Sequence, residues 1–124
     1  MTSDKRIFIV EDDLHIRESL TEVLEIEGFN VFSAVNGQDA LDKLRSGERA
    51  DLILLDLMMP IKDGFQFKAE QEVDPKISHI PVIVMSANGN LSNNKDLGKV
   101  KDYLKKPIDL DALLETINRF LGPN

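Results

Sequence analysis

Leu52-Ile53-Leu54-Leu55-Asp56-Leu57-Met58-Met59-Pro60 opens with four large aliphatic residues in a row and then breaks on an acid. A continuous apolar run of this length, rather than an alternating one, is the pattern of a strand covered on both faces, as in the interior of a parallel sheet. The aspartate that ends it is expected to have its backbone anchored by the strand while its carboxylate meets the cleft at the strand's end. Ile7 to Val10 and Val82 to Met85 repeat the continuous pattern, and Val31 to Val35 with a weaker run around Tyr103-Leu104 bring the expected strands to five.

Between these runs the apolar period changes from that of a strand to that of a helix. Ile16, Leu20, Val23 and Leu24 recur at helical spacing up to a stop at Gly28, and Ala40, Leu41 and Leu44 do so up to Gly47. Leu110, Leu113, Leu114, Ile117 and Leu121 form a last amphipathic segment, with Asp109 placed as its N-cap and Gly122-Pro123 as its stop. Phe65 to Val73 is expected to be a helix with few apolar positions, namely Phe65, Phe67, Ala69 and Val73. The segment Asn88 to Lys101, with Leu91, Leu97 and Val100 to bury, predicts at most a short, marginal helix. Strand and helix alternate throughout, which predicts an α/β domain built on a parallel sheet with right-handed crossovers.

The length of 124 residues lies near the commonest size of one domain, and the sequence shows no linker or repeat, so residues 1–124 are expected to form a single unit. The lack of cysteine excludes disulfides and thiolate metal sites. Met1 to Arg6 is polar, and the following apolar run is too short for a signal-peptide core or a membrane span. A cytoplasmic protein with no membrane insertion is the expectation. A net charge of −7, with no basic stripe to offset it, argues against direct nucleic-acid binding.

The acids cluster where an open parallel sheet binds ligands, in the loops at the carboxyl ends of its strands. Glu11, Asp12 and Asp13 follow the first strand and Asp56 ends the third. Carboxylates brought together in one crevice repel each other unless a cation compensates, and Mg²⁺ suits an all-oxygen site that leaves room for waters and phosphate oxygens. Asp13 alone reads better as the start of the following helix, where negative charge is favoured. A carboxylate can attack phosphorus to form an acyl phosphate, which gives Asp56 the role of nucleophile. Such a transfer needs positioned cations and donors more than acid–base chemistry. Ser86, ending the fourth run, offers a hydroxyl, and Lys106, after the fifth, offers a mobile point charge.

Taken together, Ile9-Val10-Glu11-Asp12-Asp13, Leu54-Leu55-Asp56-Leu57-Met58-Met59-Pro60 with Asp63-Gly64, Pro81-Val82-Ile83-Val84-Met85-Ser86-Ala87 and Asp102-Tyr103-Leu104-Lys105-Lys106-Pro107 resemble the response-regulator receiver family of two-component signalling, over essentially the whole chain. The resemblance implies a flavodoxin-like (βα)5 three-layer sandwich, with a parallel five-stranded sheet in the order 2-1-3-4-5. By position, Asp56 resembles the phosphoacceptor, Asp12 the direct ligand of Mg²⁺, Glu11 a second acid acting through water, and Met58 the residue whose backbone carbonyl completes the protein's share of the metal shell. Ser86 resembles the hydroxyl that follows the phosphoryl group, Lys106 the family's lysine, and Tyr103 its switch aromatic. The Lys106-Pro107 bond is cis in that family.

The implied activity is a phosphorelay switch. A sensor histidine kinase or histidine phosphotransfer protein donates the phosphoryl group, the acyl phosphate hydrolyses slowly, and output passes through protein contacts with an unidentified target. Such a chain promotes its own phosphorylation and dephosphorylation and is not a turnover enzyme. Met58 and Asn88, two positions beyond Asp56 and Ser86, are expected to line the path of the attacking water. His15 and His79 are read as ordinary surface residues, Phe65 and Phe67 as packing residues. Three rival readings are weaker. A phosphatase with an aspartate nucleophile wants a second aspartate where Met58 stands, and a flavodoxin-like carrier would have its cofactor phosphate repelled by Glu11-Asp12-Asp13. A receiver-like adaptor that binds partners without phosphorylation has no need of the acids.

Overall fold

The five apolar runs pair into one parallel sheet in the computed structural model, which describes residues 4–87 and 97–122. In chain order the elements are β1 (Arg6–Val10), α1 (Leu14–Ile26), β2 (Asn30–Ala34), α2 (Gly37–Arg45), β3 (Leu52–Asp56), α3 (Gly64–Val73), β4 (Val82–Ser86), β5 (Asp102–Lys105) and α4 (Leu110–Leu121). The strand order is β2-β1-β3-β4-β5, so the chain winds outward from β1 in one direction and then, after β2, in the other. The reversal lies between β1 and β3, and there the two acid-bearing strands become neighbours: Val10 pairs with Leu55.

Because successive side chains on a strand point to opposite faces, each continuous run feeds two cores. Phe8, Val10, Ile53, Leu55, Val82 and Val84 face Leu41 and Leu44 of α2 and Phe67 of α3. Ile7, Ile9, Leu52, Leu54, Ile83 and Met85 face Leu20 and Leu24 of α1 and Leu113 and Ile117 of α4. The result is the expected three-layer sandwich. Between β4 and β5, Leu97 is fully buried and Val100 packs beside it on the α2–α3 face. Residues 88–96 lie outside the described residues, and with them the expectations for Asn88, Leu91 and a short helix there.

The helix boundaries follow from their caps. Asp13 accepts from the Ile16 amide at 3.0 Å and Asp109 from that of Asp111 at 3.3 Å, both as expected. Asp63 and Gln66 form a reciprocal capping box at the start of α3. The expected apolar face of α3 needs correction: Ala69 and Val73 are exposed, and the helix buries Gly64, Phe67, Lys68 and Gln71 instead. Among the described residues no helix is long and apolar enough to cross a membrane.

Two backbone details shape the loop that leaves Asp56. A Cβ on Gly64 would stand 2.6 Å from the Asp56 carbonyl oxygen, so glycine alone lets α3 begin this close to β3. Ile61 has φ 68°, and the Lys62 amide donates to the Pro60 carbonyl at 2.7 Å, which makes a γ-turn of the strained, rare kind. The Lys62 carbonyl in turn accepts from the Gly37 amide at 2.7 Å, tying this loop to the start of α2.

Candidate functional site

The strand ends bring the acids together. Glu11 follows β1 directly and its amide donates to the Ala34 carbonyl of β2 at 3.1 Å, continuing the ladder one residue past the strand. Asp56 is the last residue of β3. Carboxylate oxygens of Glu11, Asp12 and Asp56 all lie within 4.8 Å of one another. Opposite ligands of an Mg²⁺ octahedron are about 4 Å apart, so the three acids fit one such ion with little adjustment, the more so if one ligates through water. Glu11 and Asp56 are buried and Asp12 is exposed, which gives the site a fixed floor and an open side.

Lys106 closes the cluster from the other edge of the sheet. Ser86 pairs with Lys105 in the β4–β5 register, and the Lys106 amide donates to the Ser86 carbonyl at 2.8 Å. From there the Lys106 ammonium donates to Glu11 Oε1 at 2.7 Å and lies 2.9 Å from Asp56 Oδ1. The Lys106-Pro107 peptide is cis. Burial raises the Glu11 pKa from 4.5 to about 7, assisted by the charge of Asp56 and opposed by hydrogen bonds from Lys106 and the Asp13 amide. For Lys106, burial acts downward, but the hydrogen bonds to Glu11 and Asp56 and their charges outweigh it, and its pKa is raised. Asp13, held by the Ile16 amide, has its pKa lowered and serves as the helix cap.

A cleft of about 490 Å³ gathers Glu11, Asp12, Asp56, Met58, Ser86 and Lys106, so six of the seven residues to which the family resemblance gives a role by position share one site. Met58 is 76% exposed and stands at its rim. Tyr103 is the exception. It pairs with Val84 and packs, partly buried, on the α2–α3 face of the sheet. His15 lies exposed on α1 in an adjoining groove with Ile16, Lys106 and Pro107, and His79 is exposed beside Ile80 at the far end of the sheet. Sequence reasoning passed over Arg17, whose guanidinium donates to the backbone carbonyls of Glu11 at 2.8 Å and Asp12 at 3.3 Å. Its only signal was spacing, one helical turn past Asp13.

Comparison with known proteins agrees with this geometry. The profile of the response regulator receiver domain matches residues 7–118, and the chain belongs to that family. Protein PilH of Pseudomonas aeruginosa is 39% identical over 120 residues, covering 94% of this chain and 98% of that protein. Sporulation initiation phosphotransferase F of Bacillus subtilis is 36% identical over 121 residues, 95% of this chain and 94% of that protein. Transcriptional regulatory protein CrdR of Helicobacter pylori is 44% identical over 121 residues, but the chain spans only 55% of its length. Among solved structures, the response regulator TrrA of Thermotoga maritima, in complex with Mg²⁺-BeF, superposes with a TM-score of 0.84 at 32% identity, over 94% of this chain and 99% of that one. Chemotaxis response regulator CheY4 of Vibrio cholerae superposes with a TM-score of 0.86 at 25% identity, over 96% and 100%.

Proposed function

We propose that this receiver domain is a phosphorylation-dependent switch in which Asp56 accepts a phosphoryl group from a phosphohistidine on a sensor histidine kinase or histidine phosphotransfer protein. The observation that carries the reading is the ammonium of Lys106 held between Glu11 and Asp56, at 2.7 and 2.9 Å, on the floor of an acidic cleft. The donor set suits Mg²⁺, which Asp12, Asp56 and the Met58 carbonyl would hold directly and Glu11 through water. When bound it neutralises the acids and the charge on the transferring group.

An Asp56 carboxylate oxygen forms the new bond to phosphorus as the P–N bond to the donor imidazole breaks, and that bond's electron pair returns to the ring nitrogen. Lys106 then exchanges Asp56 for a phosphoryl oxygen, and the Ser86 hydroxyl donates to another. Hydrolysis reverses the charge change: water attacks phosphorus, inorganic phosphate leaves and the carboxylate is restored. Met58, at the rim, screens the path of that water. Movement of Ser86 toward the phosphoryl group and reorientation of Tyr103 carry the change to a protein-binding surface. The reading makes the chain a cytoplasmic signalling protein rather than a turnover enzyme, acting without direct contact to nucleic acid.

Incubation with acetyl phosphate and Mg²⁺, followed by intact-mass measurement, is expected to add one phosphoryl group to the native chain. Neither the Asp56→Asn variant nor the native chain in EDTA should gain it. A native chain that stays unmodified under these conditions overturns the reading in favour of a constitutive adaptor.

A further inference from the structure

We propose that Arg17 is a positioning residue for the metal-binding acids, holding the turn between β1 and α1 in the conformation that aims Asp12 and Glu11 into the cleft. The inference rests on the reading of the cleft as an Mg²⁺ site and goes beyond it, since Arg17 contacts no carboxylate of the cluster. Its guanidinium instead grips the two backbone carbonyls that belong to the ligating residues, Glu11 at 2.8 Å and Asp12 at 3.3 Å.

The backbone of Glu11 is thereby held on both sides of its Cα. Its N–H is fixed by the Ala34 carbonyl on β2 and its C=O by Arg17 on α1. Asp12 follows with an exposed side chain, so its aim depends on how its own peptide is held. One residue later Asp13 becomes the cap of α1, and its amide donates to Glu11 Oε2 at 3.2 Å. Arg17 sits one turn into that helix, with its amide on the Asp13 carbonyl at 3.0 Å, so its guanidinium folds back over the turn from a rigid base. Both bonds run from one nitrogen, Nη1, of a planar guanidinium whose fixed shape aims it at the turn. Rotation of either peptide would break these bonds and swing a carboxylate away from Asp56.

Two effects of Arg17 on a divalent cation have opposite signs, which makes the inference decidable. A guanidinium this near the acids repels the ion through space, so removal of charge alone tightens binding. Removal of the clamp lets the turn sample other conformations and loosens binding, as loss of groups supporting metal ligands commonly does by about tenfold or more.

The experiment measures Mn²⁺ affinity of the full chain by electron paramagnetic resonance, with Mg²⁺ as competitor, for the native chain and for Arg17→Met, Arg17→Gln and Arg17→Lys. Amide hydrogen exchange at Asp12 and Asp13 is followed in parallel. Arg17→Met and Arg17→Gln are expected to bind Mn²⁺ about tenfold more weakly and to exchange those amides faster. Arg17→Lys, which keeps a cationic donor on a side chain one bond shorter, falls between. With acetyl phosphate, the Mg²⁺ concentration for half-maximal phosphorylation rises while the rate at saturating Mg²⁺ stays near native. Arg17→Gln is read in place of Arg17→Met if the latter does not fold. Affinity that is unchanged or tighter in a folded variant overturns the role of Arg17. A native chain that binds neither ion overturns the metal site itself.

Discussion

Lys106 and Lys68 are both withdrawn from water and both hydrogen-bonded, yet their ammonium groups are pushed in opposite directions. Lys106 stands between two carboxylates and its pKa is raised in spite of burial. Lys68, on the buried face of α3, donates to the neutral amide oxygen of Gln71 at 2.6 Å, with Glu72 only at 3.8 Å, and burial lowers its pKa. Gln71 passes the connection on, its own amide donating to the carbonyls of Ile77 and Ile80 at 2.9 and 3.2 Å. One lysine is a counter-ion to charges that the fold has forced together; the other ends a polar cross-link between α3 and the approach to β4. In this chain the lysine at the cleft is the one whose partners are themselves charged.

The comparison sharpens most when Lys106 is removed. Lys106→Met leaves Glu11 and Asp56 buried side by side without a cation, and breaking a buried pair in this way costs about 3 kcal/mol. Urea unfolding at pH 8 in EDTA is expected to report that loss, and excess Mg²⁺ to recover part of it. A Lys106→Met chain as stable as the native one in EDTA would mean that the pair contributes nothing and that the two lysines are equivalent.

Glu11 gives the next largest effect, through pH. Its pKa of about 7 in the folded chain exceeds its ordinary 4.5, so between those values the folded state binds more protons than the unfolded one. Stability contributed by the protonated form is present below about 4.5 and is lost as the pH rises through about 7. Relative to Glu11→Gln, the native chain in EDTA should lose on the order of 1–3 kcal/mol between pH 5 and pH 8. Parallel stability curves for the two chains would show that the carboxylate is not held against its burial.

These contrasts also explain what was legible in the sequence. Continuous apolar runs gave β1, β3 and β4 because burial on both faces leaves no room for alternation, and Asp13 and Asp109 were readable as caps from their place before apolar periods. The cluster of Glu11, Asp12, Asp56 and Lys106 was readable because each stands at or just beyond the end of such a run. The strand order came from family resemblance, since no run of residues states which strand lies beside which. The inner face of α3 was misread: a hydrophobicity pattern assigns lysine and glutamine to the surface and valine to the core, whereas here Lys68 and Gln71 are buried and Val73 is 81% exposed. What makes that inversion possible is a pair of backbone partners six and nine residues beyond Gln71, the carbonyls of Ile77 and Ile80, which a hydrophobicity pattern does not register. Arg17 escaped for the same reason, because its partners are backbone atoms that carry no sequence signal.

The smallest expected effect tests the other half of the comparison. Lys68→Met removes a buried ammonium, which relieves its desolvation, and leaves the Gln71 amide oxygen without its 2.6 Å donor, which opposes that gain. The two nearly cancel, so urea unfolding at pH 7 should change by less than about 1 kcal/mol. The pH dependence is the sharper readout. With its folded pKa below 10.5, Lys68 makes the unfolded chain bind more protons between the lowered value and 10.5, so native stability gains in that window as pH rises. The variant should lack this gain while accepting phosphoryl groups from acetyl phosphate at the native rate, because Lys68 has no part in the cleft. A folded Lys68→Met chain that is phosphorylated markedly more slowly would break the division between the two lysines and place α3 in the chemistry.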